Sequence, residues 1–188
     1  MNIVIGLGNP GSTHAGQRHN VGMMVLDALA AKEALSFKGE KIFSAHIAQF
    51  GQLLLAKPDT FMNDSGLAVE KLHRQYPDAS IAVVYDDISI NLGEIKVSYG
   101  RGDGGHNGLT SIIRQIGTKD FLRIRIGIRP VHEELLPRIA PPNGFETFML
   151  SEFAPFESEL RDRSIEKAVA LIEQLPFKTK EEIMNQFN

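Results

Sequence analysis

The sequence predicts a single α/β domain built on a mixed, mostly parallel sheet that helices cover on both sides. Three observations carry this reading. Short apolar runs of strand length alternate along the chain with longer stretches of helical periodicity, the order expected of α/β folds. Two strand-like runs, 42–50 and 52–57, meet at Gly51-Gln52, which makes a hairpin and so an antiparallel pair. Neither an internal repeat nor a linker interrupts the 188 residues. That length suits one globular domain with a sizeable core, so 1–188 is read as one unit.

In chain order, NIVIGL at 2–7 is a buried strand stopped by glycine. A polar loop follows to about Arg18, and 21–34 form a helix with Val21, Met24, Val25, Ala28 and Leu29 on one face. Asn63, Asp64 and Ser65 are good caps for a helix that runs to Tyr76, where Pro77 helps to stop it. SIAVVY at 80–85 is the strongest strand candidate, with Asp86 and Asp87 at its C-terminal end. A strand at 94–99, a glycine-rich loop at 100–108 and a helix at 109–116 come next. In the strand at 121–128, Arg123 and Arg125 share one face while Ile124, Ile126 and Ile128 take the other. The proline-rich stretch 129–145 is read as a loop, 156–175 as an amphipathic helix and 180–187 as a short helix.

Composition narrows the chemistry. The chain has no cysteine, which removes disulfides, thiolate metal sites and cysteine nucleophiles together and fits the reducing cytoplasm. No apolar run approaches the roughly 18 residues of a membrane span. The start, MNIVIGLGNPG, reads as a strand, not as a signal peptide. The net charge is -3, yet charge is unevenly spread. Basic residues dominate 94–129, where an anionic partner such as a phosphate backbone could lie, and acids dominate 146–182.

Two glycine loops invite nucleotide readings, and both fall short. GLGNPG at 6–11 matches a dinucleotide turn, but STHAGQRHN separates its third glycine from the helix, and only Glu40 is on offer as the ribose-binding acid in 35–50. GRGDGGHNG at 100–108 lacks the G-K-[ST] of a Walker loop. No G-x-S-x-G elbow is present for serine catalysis. His19, Asp86, Asp87 and His106 have the donor types for a divalent ion, though without compact ligand spacing. The remaining option needs no metal and no cofactor. A histidine can take a proton from water, and a carboxylate on its other ring nitrogen fixes the tautomer. His19 and Asp86 suit those roles. Asn9, Asn63 and Asn107 lie in loops at element ends, where neutral amides can hold a water, a carbonyl or an oxyanion. Such an apparatus suits an activated ester better than an amide.

These motifs converge. GLGNPG…RHNVG at 6–22, KPDTFMNDSGLAV at 57–69, YDDISINLGEIK with GRGDGGHNG at 85–108, RIRIGIRP at 123–130 and FMLSEF at 148–153 together resemble the bacterial peptidyl-tRNA hydrolase family. The resemblance implies a monomeric three-layer α/β/α sandwich around a twisted mixed sheet. It also implies cofactor-free hydrolysis of the ester joining a peptide to the 3′ ribose of tRNA, a ribosome-rescue task in translation, with no obligate protein partner and no membrane. By the resemblance His19 is the base, Asp86 its partner and Asn9 an orienting residue at the reaction centre. Asn63, Asn107 and Met62 serve the peptide, and His14 stands where the family has a tyrosine that contacts substrate. Lys96 and Arg125 match basic positions of the family; Arg101 and Arg123 join them as phosphate contacts on charge and position. Ser98 stands where the family is often basic, Gln17 where threonine is common, and the loop 130–145, a candidate lid, departs from the family pattern. The rival readings are a catalytically idle RNA-binding relative and a nicotinamide-dependent oxidoreductase.

Overall fold

The computed structural model describes residues 1–130 and 144–188. Seven strands form one sheet in the order β2-β3-β4-β1-β5-β7-β6. They are β1 Asn2–Gly6, β2 Lys38–Glu40, β3 Ala45–Phe50, β4 Leu53–Pro58, β5 Ser80–Asn91, β6 Ile95–Tyr99 and β7 Leu122–Arg129. The four central strands run parallel, and β2, β3 and β6 are added to the edges by antiparallel pairing. Six helices are described: α1 Val21–Lys32, α2 Ser65–Gln75, α3 Asn107–Ile116, α4 Gly144–Met149, α5 Ser158–Ile172 and α6 Lys180–Phe187.

Strand alternation sorts the core into two layers. Val4, Leu55, Ala82, Val84, Ile124 and Ile126 face α1 and α5 through Val25, Leu29, Ala168 and Ile172. Ile3, Ile5, Leu54, Val83 and Tyr85 face α2 and α3 through Leu72, Leu109 and Ile112. The result is the expected three-layer α/β/α sandwich. Among the described residues no helix is long and apolar enough to cross a membrane.

Topology decides where a site can form. From β1 the chain crosses by α1 to one side of the sheet, and it returns by α2 to β5 on the other side of β1. The two helices lie on opposite faces. Such a reversal opens a crevice at the carboxyl ends of the strands. The backbone closes tightly there. A Cβ on Gly22 would stand 2.3 Å from the Val84 carbonyl oxygen and 2.7 Å from that of Leu7, so only glycine lets the start of α1 sit directly on β1 and β5.

The structure departs from the sequence reading at several points. The strand expected to end near Tyr85 continues to Asn91, because β7 goes on pairing with it past a register shift between Asp87 and Asn91. On its other side the last pairing with β1 is Gly6–Val84. Asp86 therefore overhangs β1 and still lies at the carboxyl edge. The three-residue β2, exposed throughout, has no counterpart in the sequence reading. Gly144 and Phe145, expected at the end of a loop, open helix α4, whose Phe148 and Met149 pack on the core. The expected helix at 156–175 is a 3-10 turn, Pro155–Glu157, followed by α5. Arg129, expected at the start of the proline-rich loop, instead ends β7, and residues 131–143, with the suggested lid role, lie outside the described residues.

Candidate active site

The crevice is organised by one turn. Arg18–Asn20 form a single 3-10 turn that leads into α1, and all three residues are buried. A 3-10 helix has three residues per turn, so successive side chains point about 120° apart. His19 reaches β5, with Nδ1 2.8 Å from Asp86 Oδ1. Asn20 reaches the first glycine loop, where its Oδ1 accepts the Asn9 N–H at 2.9 Å and its Nδ2 donates to the Asn9 carbonyl at 2.8 Å. Strand parity explains the first contact. Asp86 lies on the face of Ala82 and Val84, the face that α1 covers, so a residue just ahead of α1 meets it.

A second imidazole shares the same oxygen. His106, the N-cap of α3, places Nε2 3.1 Å from Asp86 Oδ1. Its Nδ1 accepts the Leu109 N–H at 3.4 Å, which leaves the ring proton on Nε2, facing the carboxylate. The His19 and His106 rings lie 5.1 Å apart, and Tyr85 meets the His106 ring edge-on at 4.9 Å. Burial pushes the Asp86 carboxyl up, but the charge and hydrogen bonds of His106 and His19 outweigh it and hold the group well below the usual carboxylate range. Burial of His19 opposes its charging, yet the hydrogen bond and charge of Asp86 win and raise its pKa above the ordinary imidazole value. Burial pushes the Tyr85 phenol up to about 12. Because Nδ1 is engaged by an ionised carboxylate, the free lone pair of a neutral His19 is on Nε2. The nitrogen and oxygen ligand atoms of His19, Asp86 and His106 lie within 4.8 Å of one another, a set that could hold a divalent ion. Asp87, the fourth donor considered from sequence, turns away to Arg125.

The asparagines take different places. Asn9 is buried, and its Oδ1 accepts the Met62 N–H at 2.9 Å, leaving its NH2 as the group with protons to donate. Asn9 therefore ties the loop after β1 to the turn after β4. Met62 is only 4% exposed, so its side chain offers little surface to a ligand. Asn63 and Asn107 are exposed, on the 3-10 turn Met62–Asp64 and on the first residue of α3. His14 is half-buried, donates from Nδ1 to Gln17 Oε1 at 3.0 Å, and stands edge-on to the exposed Phe61 at 6.4 Å. No sequence signal singles out Phe61.

A cleft of about 1000 Å³ opens from Asp86 and His106 along β7 and β6. Lys96, Arg101 and Arg125 line it, with Phe145 and Met149 of α4. Lys96 lies directly opposite Arg125 across the β6–β7 pair. Like charges in that position repel, and Asp87, 2.9 Å from Arg125, offsets the charge of Arg125. Arg123, expected from the sequence as a phosphate contact, borders the same cleft, but its side chain is turned to the protein. It is wholly buried and donates to the carbonyls of Lys119, Phe121 and Arg101. Its work is to hold the glycine-rich loop that carries Arg101.

Comparison with known proteins gives the family. The pattern of the family described as Peptidyl-tRNA hydrolase matches residues 3–188. The chain is 43% identical over 162 residues to the peptidyl-tRNA hydrolase of Mycobacterium tuberculosis, covering 82% of this chain and 80% of that protein. It is 44% identical over 133 residues to that of Mycobacterium marinum, covering 67% and 69%. The crystal structure of peptidyl-tRNA hydrolase from Acinetobacter baumannii superposes with a TM-score of 0.85 at 31% identity, covering 100% of this chain and 94% of that one. The chain belongs to the peptidyl-tRNA hydrolase family and is an enzyme of the hydrolase class.

Asp86→Asn should lower the pKa of the His19 ring, because the burial that opposes its charge stays while the carboxylate that outweighs it is gone. An NMR titration of the ring checks this; an unchanged or higher midpoint would contradict the electrostatic account.

Proposed function

We propose that this protein hydrolyses the ester between a peptide, or an N-acylated amino acid, and the 3′-terminal ribose of tRNA, with His19 as general base on water. The observation that carries this reading is the 2.8 Å contact of His19 Nδ1 with the buried Asp86 at the mouth of a basic cleft. Neutral His19 takes a proton from water at Nε2, and the hydroxide formed attacks the ester carbonyl. Asp86 stabilises the imidazolium, and the proton then goes to the departing ribose oxygen. Catalysis in this scheme needs no metal, so a chelator leaves turnover unchanged. Family membership supports the substrate class, and the His19–Asp86 contact supports the choice of base.

The amides complete the scheme. The Asn9 NH2 orients groups at the reaction centre, with its oxygen already committed to Met62. Asn107 stabilises the developing oxyanion or positions the water. Asn63, on the adjoining turn, holds the peptide backbone, and Met62 supports it from below. His14 and Phe61 border the groove beside the first loop. A free α-amine offers no acyl amide to this groove, so N-acylated substrates are favoured over free aminoacyl-tRNA. The acceptor end and phosphate backbone of the tRNA lie along Lys96, Arg101 and Arg125, where an anion relieves the facing cations. The enzyme acts as a monomer without an obligate partner, in the cytoplasm where peptidyl-tRNA arises.

His19→Ala should keep the fold and lose about two to four orders of magnitude in turnover of N-acetyl-aminoacyl-tRNA. The parent rate should rise with pH through a midpoint above the usual imidazole value of about 6.5, because only the neutral ring is a base. Near-parental turnover of the variant would refute the assignment. Arg125→Ala should weaken tRNA binding and flatten its dependence on salt by about one counterion. An unchanged slope in a filter-binding series would exclude Arg125 from the tRNA face.

A further inference from the structure

Arg18, the residue before His19, is 3% exposed, and its partner Glu157 is 1% exposed. The Arg18 guanidinium pairs with Glu157 and donates through Nε to Ser151 Oγ at 3.4 Å. Its guanidinium carbon lies over two rings, 4.4 Å from the centre of Phe148 and 4.7 Å from that of Phe153. Its backbone N–H donates to the Ser151 carbonyl at 2.9 Å. Glu157 is held in turn by the Ala154 N–H at 2.8 Å. Two atoms of the pair, Arg18 Nη1 and Glu157 Oε1, are buried without a hydrogen-bond partner among the described residues.

This is a poor way to gain stability. Desolvation of a buried ion pair roughly cancels its attraction, and apolar residues of similar volume often do as well. Buried atoms left without partners cost more. What the arrangement does supply is a fixed geometry. A planar guanidinium packed over two rings and paired with a buried carboxylate has little freedom to turn. Arg18 shares its turn with His19, and through Phe148 it also grips α4, whose Phe145 and Met149 line the cleft.

We infer that Arg18 is a positioning residue for the reaction, one that clamps the turn carrying His19 to the segment 148–157 and so makes the placement of the base depend on the α4 wall of the cleft. The inference rests on the reading of His19 as the base. Asp86 and Asn9 anchor the second and third residues of the turn, and Arg18 anchors the first. With that anchor gone the imidazole keeps its carboxylate, but the turn is free to tilt, and Nε2 no longer addresses one point in the crevice. A displacement of about an ångström at a reacting group costs as much as a hundredfold in rate.

The test compares the parent with the double variant Arg18→Met/Glu157→Gln. This change removes both charges at similar volume and keeps a side-chain oxygen at position 157 to accept the Ala154 N–H. The expected result is a melting temperature near that of the parent, a kcat lowered by about tenfold to a hundredfold and a KM for N-acetyl-aminoacyl-tRNA within about twofold. NMR of the His19 ring, a readout independent of turnover, should show broadened or multiple signals in place of one. Arg18→Lys keeps the charge without the flat stacking surface, so it should restore only part of the rate. A folded double variant with parental kcat and a single His19 signal would overturn the inference. If the double variant fails to fold, Arg18→Lys decides: lowered kcat at unchanged melting temperature supports the clamp, and parental kcat ends it. His19→Ala, run alongside, separates the two ideas. Should that variant stay active, the base assignment fails, and the His19 signals alone still judge whether Arg18 holds the turn.

Discussion

The crevice depends on one buried carboxylate. Asp86 has two imidazoles on a single oxygen, at 2.8 and 3.1 Å. Those partners keep it ionised against a burial that would otherwise protonate it. An unpaired carboxylate at 3% exposure would shift its pKa and lose its charge. The dependence runs both ways. The ionised Asp86 selects the His19 tautomer with the proton on Nδ1, and this leaves Nε2 as the basic position.

The fold delivers that carboxylate by strand parity and by unequal strand length. β1 stops at Gly6, paired with Val84, while β5 continues beside β7. Asp86 is therefore held in a strand yet open on one side. Glycine at position 22 lets α1 settle against Val84 and Leu7, which brings the turn Arg18–Asn20 over that opening. The turn then sends its three side chains to three anchors: the 148–157 segment, β5 and the loop after β1. His106 arrives from the opposite face as the cap of α3. Parts separated by up to 139 residues in sequence meet in this way.

Much of this is legible in the residues. The apolar run 80–85 and the alternation within 121–128 mark β5 and β7, the Gly51-Gln52 break marks the hairpin, the end of the 80–85 strand singles out Asp86, and histidine and asparagine in the loops single out His19 and the three asparagines as candidates. The failures have physical causes. β2 is three exposed residues, Lys38–Glu40, and carries no apolar pattern. The length of β5 depends on the pairing offered by β7, which no local signal encodes. Arg123 reads as a surface cation because its strand alternates, but its own position is covered, and its two terminal nitrogens are spent on backbone carbonyls. The pairing of Arg18 with Glu157 joins residues 139 apart in the chain, and no local signal links them. GGHN draws attention to His106, yet its sharing of Asp86 Oδ1 requires three dimensions.

The central claim is that the base at the crevice is the Nε2 of a neutral His19 whose Nδ1 proton is held by Asp86. Nitrogen-15 NMR of the imidazole, recorded above the titration midpoint, tests it most directly. The account predicts a protonated, pyrrole-type Nδ1 coupled to Asp86 and an unprotonated, pyridine-type Nε2. A ring protonated on Nε2, or one that exchanges evenly between the two tautomers, would contradict it.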